Sequence, residues 1–465
     1  MNMINVRRLT VMTFLGAGML SGISAQVSPL QVDTLKETKI TDQWALQSCI
    51  DYAKEQNITI RKNRITAAST QIDVKTAKAA LFPSLSFSTS QQVVNRPYQE
   101  TSSRVSGSEI ISSNSKTSYN GNYGLNVSWT LYNGNKRLKT IQQEKLNNQM
   151  AELDVATSEN NIQESIAQVY IQILYAAESV KVNENTLQVS IAQRDRGQEL
   201  LNAGSIAKSD LAQLEAQVST DRYQLVTAQA TLEDYKLQLK QLLELDGENE
   251  MNIYLPALSD ENVLAPLPTK RDVYISALSL RPEIEASKLN VEASELGINI
   301  AKSSYFPTIS LSAGIGTNHT SGSDFTFGEQ VKNGWNNSIG LSVSVPIFNN
   351  RQTKSAVQKA KLQYETSMLS LLDEQKALYK TIESLWLDAN SAQQRYAAAN
   401  EKLKSTQISY ELISEQFNLG MKNTVELLTE KNNLLQAQQE QLQAKYMAIL
   451  NTQLLKFYQG DQLAI

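Results

Sequence analysis

The chain carries one pattern twice, and this restricts its fold more than any single motif does. Ala77-Lys78-Ala79-Ala80-Leu81-Phe82-Pro83-Ser84-Leu85-Ser86 has a counterpart 224 residues later in Ala301-Lys302-Ser303-Ser304-Tyr305-Phe306-Pro307-Thr308-Ile309-Ser310. Gly124-Leu125-Asn126-Val127-Ser128 and Gly340-Leu341-Ser342-Val343-Ser344 stand 216 apart. The same 216 separates Leu131-Tyr132-Asn133-Gly134 from Ile347-Phe348-Asn349-Asn350, and Asn202-Ala203-Gly204 from Asn418-Leu419-Gly420. Several matches in order at a held offset are the mark of an internal repeat. The offset falls by 8, so the connection between the first two matches is longer in the first half. Between the halves, residues 246–271 carry Pro256, Pro266 and Pro268 without a sustained period and read as a linker.

Each half reads as a helix, two strands, a very long helix and a further helix. The strands are expected at about 84–95 and 119–131, and again at about 308–318 and 335–347. In the second of these the odd positions are Tyr119, Gly121, Tyr123, Leu125, Val127, Trp129 and Leu131, separated by Asn, Gly, Ser and Thr. Period two puts one class of side chain on each face of a strand. None of the four segments contains Asp, Glu, Lys or Arg, in a chain that is 19% charged. Two folds suit them. A soluble sheet rests its apolar face on a core and its polar face in water. A transmembrane barrel turns the apolar face to lipid, and its strands need ~9–11 residues. The absence of charge favours lipid. Four strands cannot enclose a lumen, because the smallest barrels have ~8, so a barrel requires several chains.

The helices are unusually long. No proline interrupts Asn135 to Asn202, and the only glycine is Gly197. At ~1.5 Å per residue such a helix spans on the order of 100 Å. Ile162, Ile166, Val169, Ile173, Ala177 and Val180 step by threes and fours, and Leu378, Ile382, Leu385 and Ala389 do so in the second half, with Tyr396 seven further on. Leu211, Val218, Leu225, Leu232 and Leu239 recur every seventh residue, the pattern of laterally packed helices. A helix from about Trp44 to Leu81 and another from about Ile206 to Leu245, stacked end to end, approach the length of the long one. Gly204 and Gly420 are expected at the hairpin tips, where a positive φ closes a helix.

Arg7 and Arg8 precede the apolar run Leu9 to Leu20 and the small residues Ser21 to Ala25, so 1–25 reads as a secretory signal peptide. The run is too short for the ~20 residues of a spanning helix. Removing it leaves 41 basic against 47 acidic residues, a balance without the basic surplus of nucleic-acid binders. One cysteine, Cys49, rules out an intrachain disulfide, and one histidine, His319, leaves little room for histidine catalysis. Cys49 falls on a helical apolar face and reads as packing; His319 reads as a surface residue at a strand end. No phosphate loop or metal-ligand motif is present, and no cofactor is expected.

Taken together, the duplicated layout, the turns Phe82-Pro83 and Phe306-Pro307, Arg281-Pro282-Glu283-Ile284, and the glycine tips followed by Asp210-Leu211 and Glu426-Leu427 resemble the TolC-like outer membrane efflux proteins. The resemblance covers essentially all of the mature sequence. It implies a mainly α chain with a membrane β-barrel, in which a homotrimer contributes four strands per chain to a 12-stranded barrel that continues as a helical coiled-coil tunnel in the periplasm. The two repeats would then be 26–245 and 272–458, with a tail at 459–465. It implies a passive exit duct in the outer membrane, in contact with its lipid, with a periplasmic adaptor and an inner-membrane pump of RND or ABC type as partners and no nucleic acid. In the family's pattern neighbouring helix hairpins are linked at the tip, where a basic residue two positions after the second hairpin's glycine reaches an acid six positions after the first hairpin's glycine. Those positions are Lys422 and Asp210, with Ser209 beside the acid. The family's tyrosine is Phe417 here, which has no hydroxyl to donate. A pore-facing acid falls on Glu426; the second acid's place is taken by Thr429, with Glu430 adjacent. A type I protein secretion duct of the same fold, or an exported coiled-coil adaptor or scaffold, are the alternatives. An enzyme is not expected.

Overall fold

The computed structural model describes residues 43–98, 102–106, 109–113, 116–246, 251–256, 263–321, 323 and 325–463. The expected signal peptide, 1–25, lies outside them. In chain order the first half holds α1 (Leu46–Gln56), α2 (Ile58–Ala79), β1 (Ser84–Asn95), β2 (Ser102–Ser106), β3 (Glu109–Ser113), β4 (Thr117–Asn133), α3 (Lys136–Asn202) and α4 (Lys208–Leu242). The second holds α5 (Lys270–Leu280), α6 (Pro282–Ser303), β5 (Thr308–Thr320), α7 (Phe327–Asn333), β6 (Asn336–Ser344), α8 (Gln352–Asn418) and α9 (Thr424–Gln459). Both α3 and α8 are unbroken over 67 residues, as the proline-free runs require.

The helix expected from Trp44 to Leu81 is instead two. Asn57 breaks it with ψ 127°, and its side chain caps α2 by accepting from the amides of Thr59 and Ile60. The same side chain donates to the Leu242 carbonyl at 3.0 Å, and Glu244 accepts from the Ile58 amide at 3.2 Å. The start of α2 is thereby set against the end of α4, so the two lie end to end along α3. In the second half the break falls at Arg281, before Pro282 at the first position of α6. The Arg281 guanidinium lies 4.1 Å from the ring of Tyr458, near the end of α9, and bonds Glu164 of α3 at 3.0 Å and Glu283 at 2.8 Å.

Near the strands the helices pack in the lateral order α2-α3-α6-α8; towards the glycine tips the order is α4-α3-α9-α8. The sheet follows the first order, β1-β4-β5-β6, antiparallel throughout. Two elements were not expected: the hairpin β2–β3 and the short helix α7. The strand expected to reach Ile347 ends at Ser344, opposite Thr308, the first residue of β5; Pro346 beyond it has no N–H to extend a ladder.

The broad core sits where helices meet end to end. There Val273 and Ala277 of α5 pack with Ile284, Leu378, Ile382, Ala389 and Leu455. In α3 the expected stripe is wider than a heptad seam: Ile166, Ala167, Tyr170, Ile171, Ile173, Leu174, Ala176 and Ala177 are all buried. This short stretch is covered on several sides, while the rest of α3 buries a narrow seam. Linker residues run across the long helices. Tyr170 donates to the Tyr254 carbonyl at 2.6 Å, and Trp386 to that of Pro268 at 3.0 Å. Cys49 lies in α1, fully buried, and burial pushes its thiol up to about 12.

Candidate functional site

Two regions carry the features that sequence reasoning singled out. The first is the sheet. Its register sets Leu85, Val127, Ala313 and Ile339 side by side across the four strands, and Phe87, Leu125 and Ile315 in the next row. The opposite face carries Ser84, Ser128, Ser312 and Gly340, then Ser86, Asn126, Gly314 and Ser338. The polar face is continuous in these rows, whereas the apolar face is broken by Asn337, opposite Ile315, and towards the loop end by Thr89, Thr317 and Gln91. The apolar one lies open, with Leu85, Phe87, Leu125, Ile339, Leu341 and Val343 all exposed, Ile339 by 79%. Apart from its loop end, where α7 packs through Phe327 and Val331, no described element covers this face, and an apolar face left open in this way is the mark of an interaction surface. Among the described residues β1 and β6 each pair on one side only. No described helix is long and apolar enough to cross a membrane, which says nothing of these strands.

His319 is on the apolar face, at the end of β5. It is not a free surface residue. Its ring lies 5.2 Å from Tyr119, 5.8 Å from Tyr123 and 4.9 Å from Phe327 of α7. It sits over Gly121, where a β-carbon would fall 2.1 Å from its Cε1. At the other end of the sheet Trp129 donates to the Leu81 carbonyl at 2.8 Å, which ties β4 to the end of the α2 segment.

The second region is the pair of hairpin tips. Gly204 (φ 74°) ends α3 and Gly420 (φ 76°) ends α8. Their closing bonds correspond one for one: Gly204 to the Leu201 carbonyl and Ser205 to Leu200, Gly420 to Phe417 and Met421 to Gln416. This is the left-handed helix stop in which the amides beyond the glycine satisfy the last carbonyls. Asp210 and Glu426 then occupy the same place, three residues beyond the N-caps of α4 and α9. The Asp210 carboxylate accepts from the Ala207 amide at 3.0 Å. Glu426 accepts from the Asn423 amide at 3.2 Å, while its own amide donates to Asn423 at 2.9 Å. Asn423-x-x-Glu426 is a capping box, a signal present in the sequence that the family pattern had overshadowed.

Within the chain Lys422 pairs with Glu426 at 2.6 Å, one turn on, and not with Asp210. That hydrogen bond, together with the Asn423 amide, holds the Glu426 carboxyl below its ordinary range. Ser209 is exposed at the start of α4. Phe417 is buried in the last turn of α8. Thr429 is exposed and returns its hydroxyl to the Val425 carbonyl at 2.8 Å; the neighbouring Glu430 accepts from Ser409 of α8 at 3.1 Å. Sequence reasoning missed a buried group farther from the tips. Lys431 of α9 donates to Asp221 of α4 and to Ser190 of α3, and the three are 3%, 1% and 2% exposed. Among the described residues no group of three or more His, Cys, Asp or Glu is placed to hold a metal ion.

A sequence profile of the family described as "Outer membrane efflux protein" matches residues 49–244 and 273–460. The chain is 24% identical over 294 residues to the outer membrane efflux protein BepC of Brucella suis, covering 63% of this chain and 61% of BepC. It is 24% identical over 294 residues to the outer membrane protein TolC of Escherichia coli, covering 61% of this chain and 58% of TolC. The match thus spans about three fifths of the length of these two relatives. Among solved structures, CusC aligns with a TM-score of 0.75 at 19% identity, over 90% of this chain and 92% of that one.

Proposed function

The chain belongs to the outer membrane efflux protein family, and from this we propose that it is the outer-membrane channel-tunnel of a tripartite efflux system. It would serve as a passive exit duct for drugs or other small molecules, driven by an inner-membrane pump through a periplasmic adaptor. The observation that carries the reading is the four-stranded sheet. It is uncharged, apolar on one open face and polar on the other, and it is joined to a wall of helices in the same lateral order.

Sheet and helices both support closure by copies of the same chain. The sheet is open at β1 and β6. At the matching sides of the helical wall, Ile58, Ile65 and Ile72 of α2 and Leu362 and Leu369 of α8 are exposed at heptad spacing. A neighbour's α8 edge set against this α2 edge would bury both. A trimer joins twelve strands into one barrel, enough to enclose a lumen, and continues as a coiled-coil tunnel into the periplasm. The apolar face then meets outer-membrane lipid and the Ser/Asn/Gly face meets water. We read 26–245 and 272–458 as repeats of one unit. The equal lengths of α3 and α8, and the left-handed caps Asn135 (φ 63°) and Arg351 (φ 65°), support that origin. Residues 246–271 are an equatorial linker, 1–25 a removed signal and 459–465 a tail.

At the tips, Lys422 of one chain would reach Asp210 of its neighbour, with Ser209 beside it, to hold the tunnel closed. Phe417 replaces a hydroxyl donor with packing. Three copies of Glu426 around a constriction would favour cations, less so while Lys422 neutralises them. Nothing in this scheme needs a catalytic step. The wide conduit leaves substrate choice to the pump. Cell fractionation and planar-bilayer recording test it together: the protein should stay with outer membranes until detergent is added, run as a trimer and give discrete current steps. Release by osmotic shock as a monomer without current would instead mark an exported scaffold.

A further inference from the structure

The buried Lys431 cluster lies away from both the sheet and the tip residues Asp210, Lys422 and Glu426. Lys431 comes from the second hairpin, Asp221 and Ser190 from the first, separated by 210 and 241 residues in sequence. Asp221 is fully engaged: it accepts from Lys431 and Ser190 through one oxygen and from Gln217 at 2.9 Å through the other. Gln217 also reaches Asn432 of α9 at 3.4 Å. At the same level Gln193 of α3 donates to Tyr410 of α8 at 2.8 Å. Polar side chains therefore tie all four helices together in one layer, roughly 15–20 Å from the glycine tips at ~1.5 Å per residue.

Apolar seams let helices slide or splay with gradual loss of contact. A buried ion pair does not, because separation strands both charges in a medium that cannot solvate them. One such pair in an otherwise apolar helical seam also fixes register. Tipward of the layer, the ion pairs Lys422–Glu426 and Arg196–Glu199 each lie within one helix end and brace nothing across the hairpins. We infer that the Lys431–Asp221–Ser190 cluster is a clasp that joins the two hairpins of each chain and sets the pivot about which the tip opens. Segments tipward of it, α3 and α8 beyond Ser190 and Tyr410 and the first turns of α4 and α9, move. The wall behind it stays. The inference rests on the reading of the chain as a gated duct.

The test compares full-length wild type with Lys431→Met and with the double variant Asp221→Leu/Lys431→Met, by planar-bilayer recording, thermal melting and amide hydrogen exchange. The single variant leaves Asp221 buried without its cation and is expected to fold poorly. The double variant keeps the volume and removes both charges, so it should melt close to wild type. Its closed-state conductance should nonetheless rise several-fold, and amide protection of α4 and α9 should fall from the tip back past residues 221 and 431. Wild-type conductance and wild-type exchange in a stable double variant would overturn the clasp. Exchange is read whether or not current flows. If wild type conducts nothing but the double variant loses protection as described, the duct reading fails and the clasp between hairpins stands.

Discussion

At the residue scale, the same side chains serve local and assembly roles that must be separated. Asp210 and Glu426 each hold an N-terminal amide of their own helix, so a variant there loses a cap as well as any contact to a neighbour. A carboxylate that caps its own helix adds to the helix's stability, whereas an exposed lysine–carboxylate pair contributes little. A gate built from such pairs, if the proposed trimer forms, would depend on three-fold repetition. Asp210→Ala with Lys422→Ala should raise single-channel conductance in planar bilayers; unchanged conductance would sink the inter-chain latch. Cys49 gives a cleaner readout of the fold. Its thiol ionises near 9.0 in the unfolded chain and at about 12 in the folded one. Stability from this group is therefore complete below pH 9 and is lost as pH climbs towards 12. The folded protein therefore holds far less thiolate than the unfolded chain at neutral to mildly alkaline pH. A fluorescent maleimide should mark Cys49 only after denaturation, and rapid labelling of the native protein would contradict the buried placement of α1.

At the element scale, the helix stops were legible unevenly. Gly204 and Gly420 announce themselves because a positive φ has a characteristic residue. The break at Asn57 has no such signature, since asparagine in a helical pattern is ordinary. What makes it a break is the Leu242 carbonyl at the end of α4, brought next to it by the fold. Asn57→Ala removes the cap of α2 and the tie to α4 together. It should cost about 1–3 kcal/mol, a cap plus one buried hydrogen bond, seen as a lower melting temperature with conductance unchanged. A melting curve identical to wild type would mean that the end-to-end junction bears no load.

At the scale of the whole molecule, the open apolar face and the two sheet edges unpaired among the described residues are the features a single chain leaves unfinished. If the apolar face meets lipid, substitutions on adjacent residues of β4 should differ sharply. Leu125→Arg places a charge on the apolar face and should cost about 2–4 kcal/mol near the bilayer midplane, while Asn126→Arg faces the lumen and should be tolerated. The amount of heat-resistant trimer in the outer-membrane fraction distinguishes them; equal assembly of the two variants would remove the lipid assignment.

Strand identity, the two-faced character of the sheet, the length of α3 and α8 and the position of the tips could all be read from the residues alone. Each follows from periodicity or from a residue with a special backbone conformation, and both are local properties of the chain. The tertiary structure alone decided where α1 parts from α2, that His319 lies among Tyr119, Tyr123 and Phe327, and that Lys431 is buried against Asp221 and Ser190. In a Lys- and Gln-rich helix Lys431 looks like any solvated lysine. Its partners lie more than two hundred residues away, and a contact of that range leaves no trace in the local pattern from which a sequence is read.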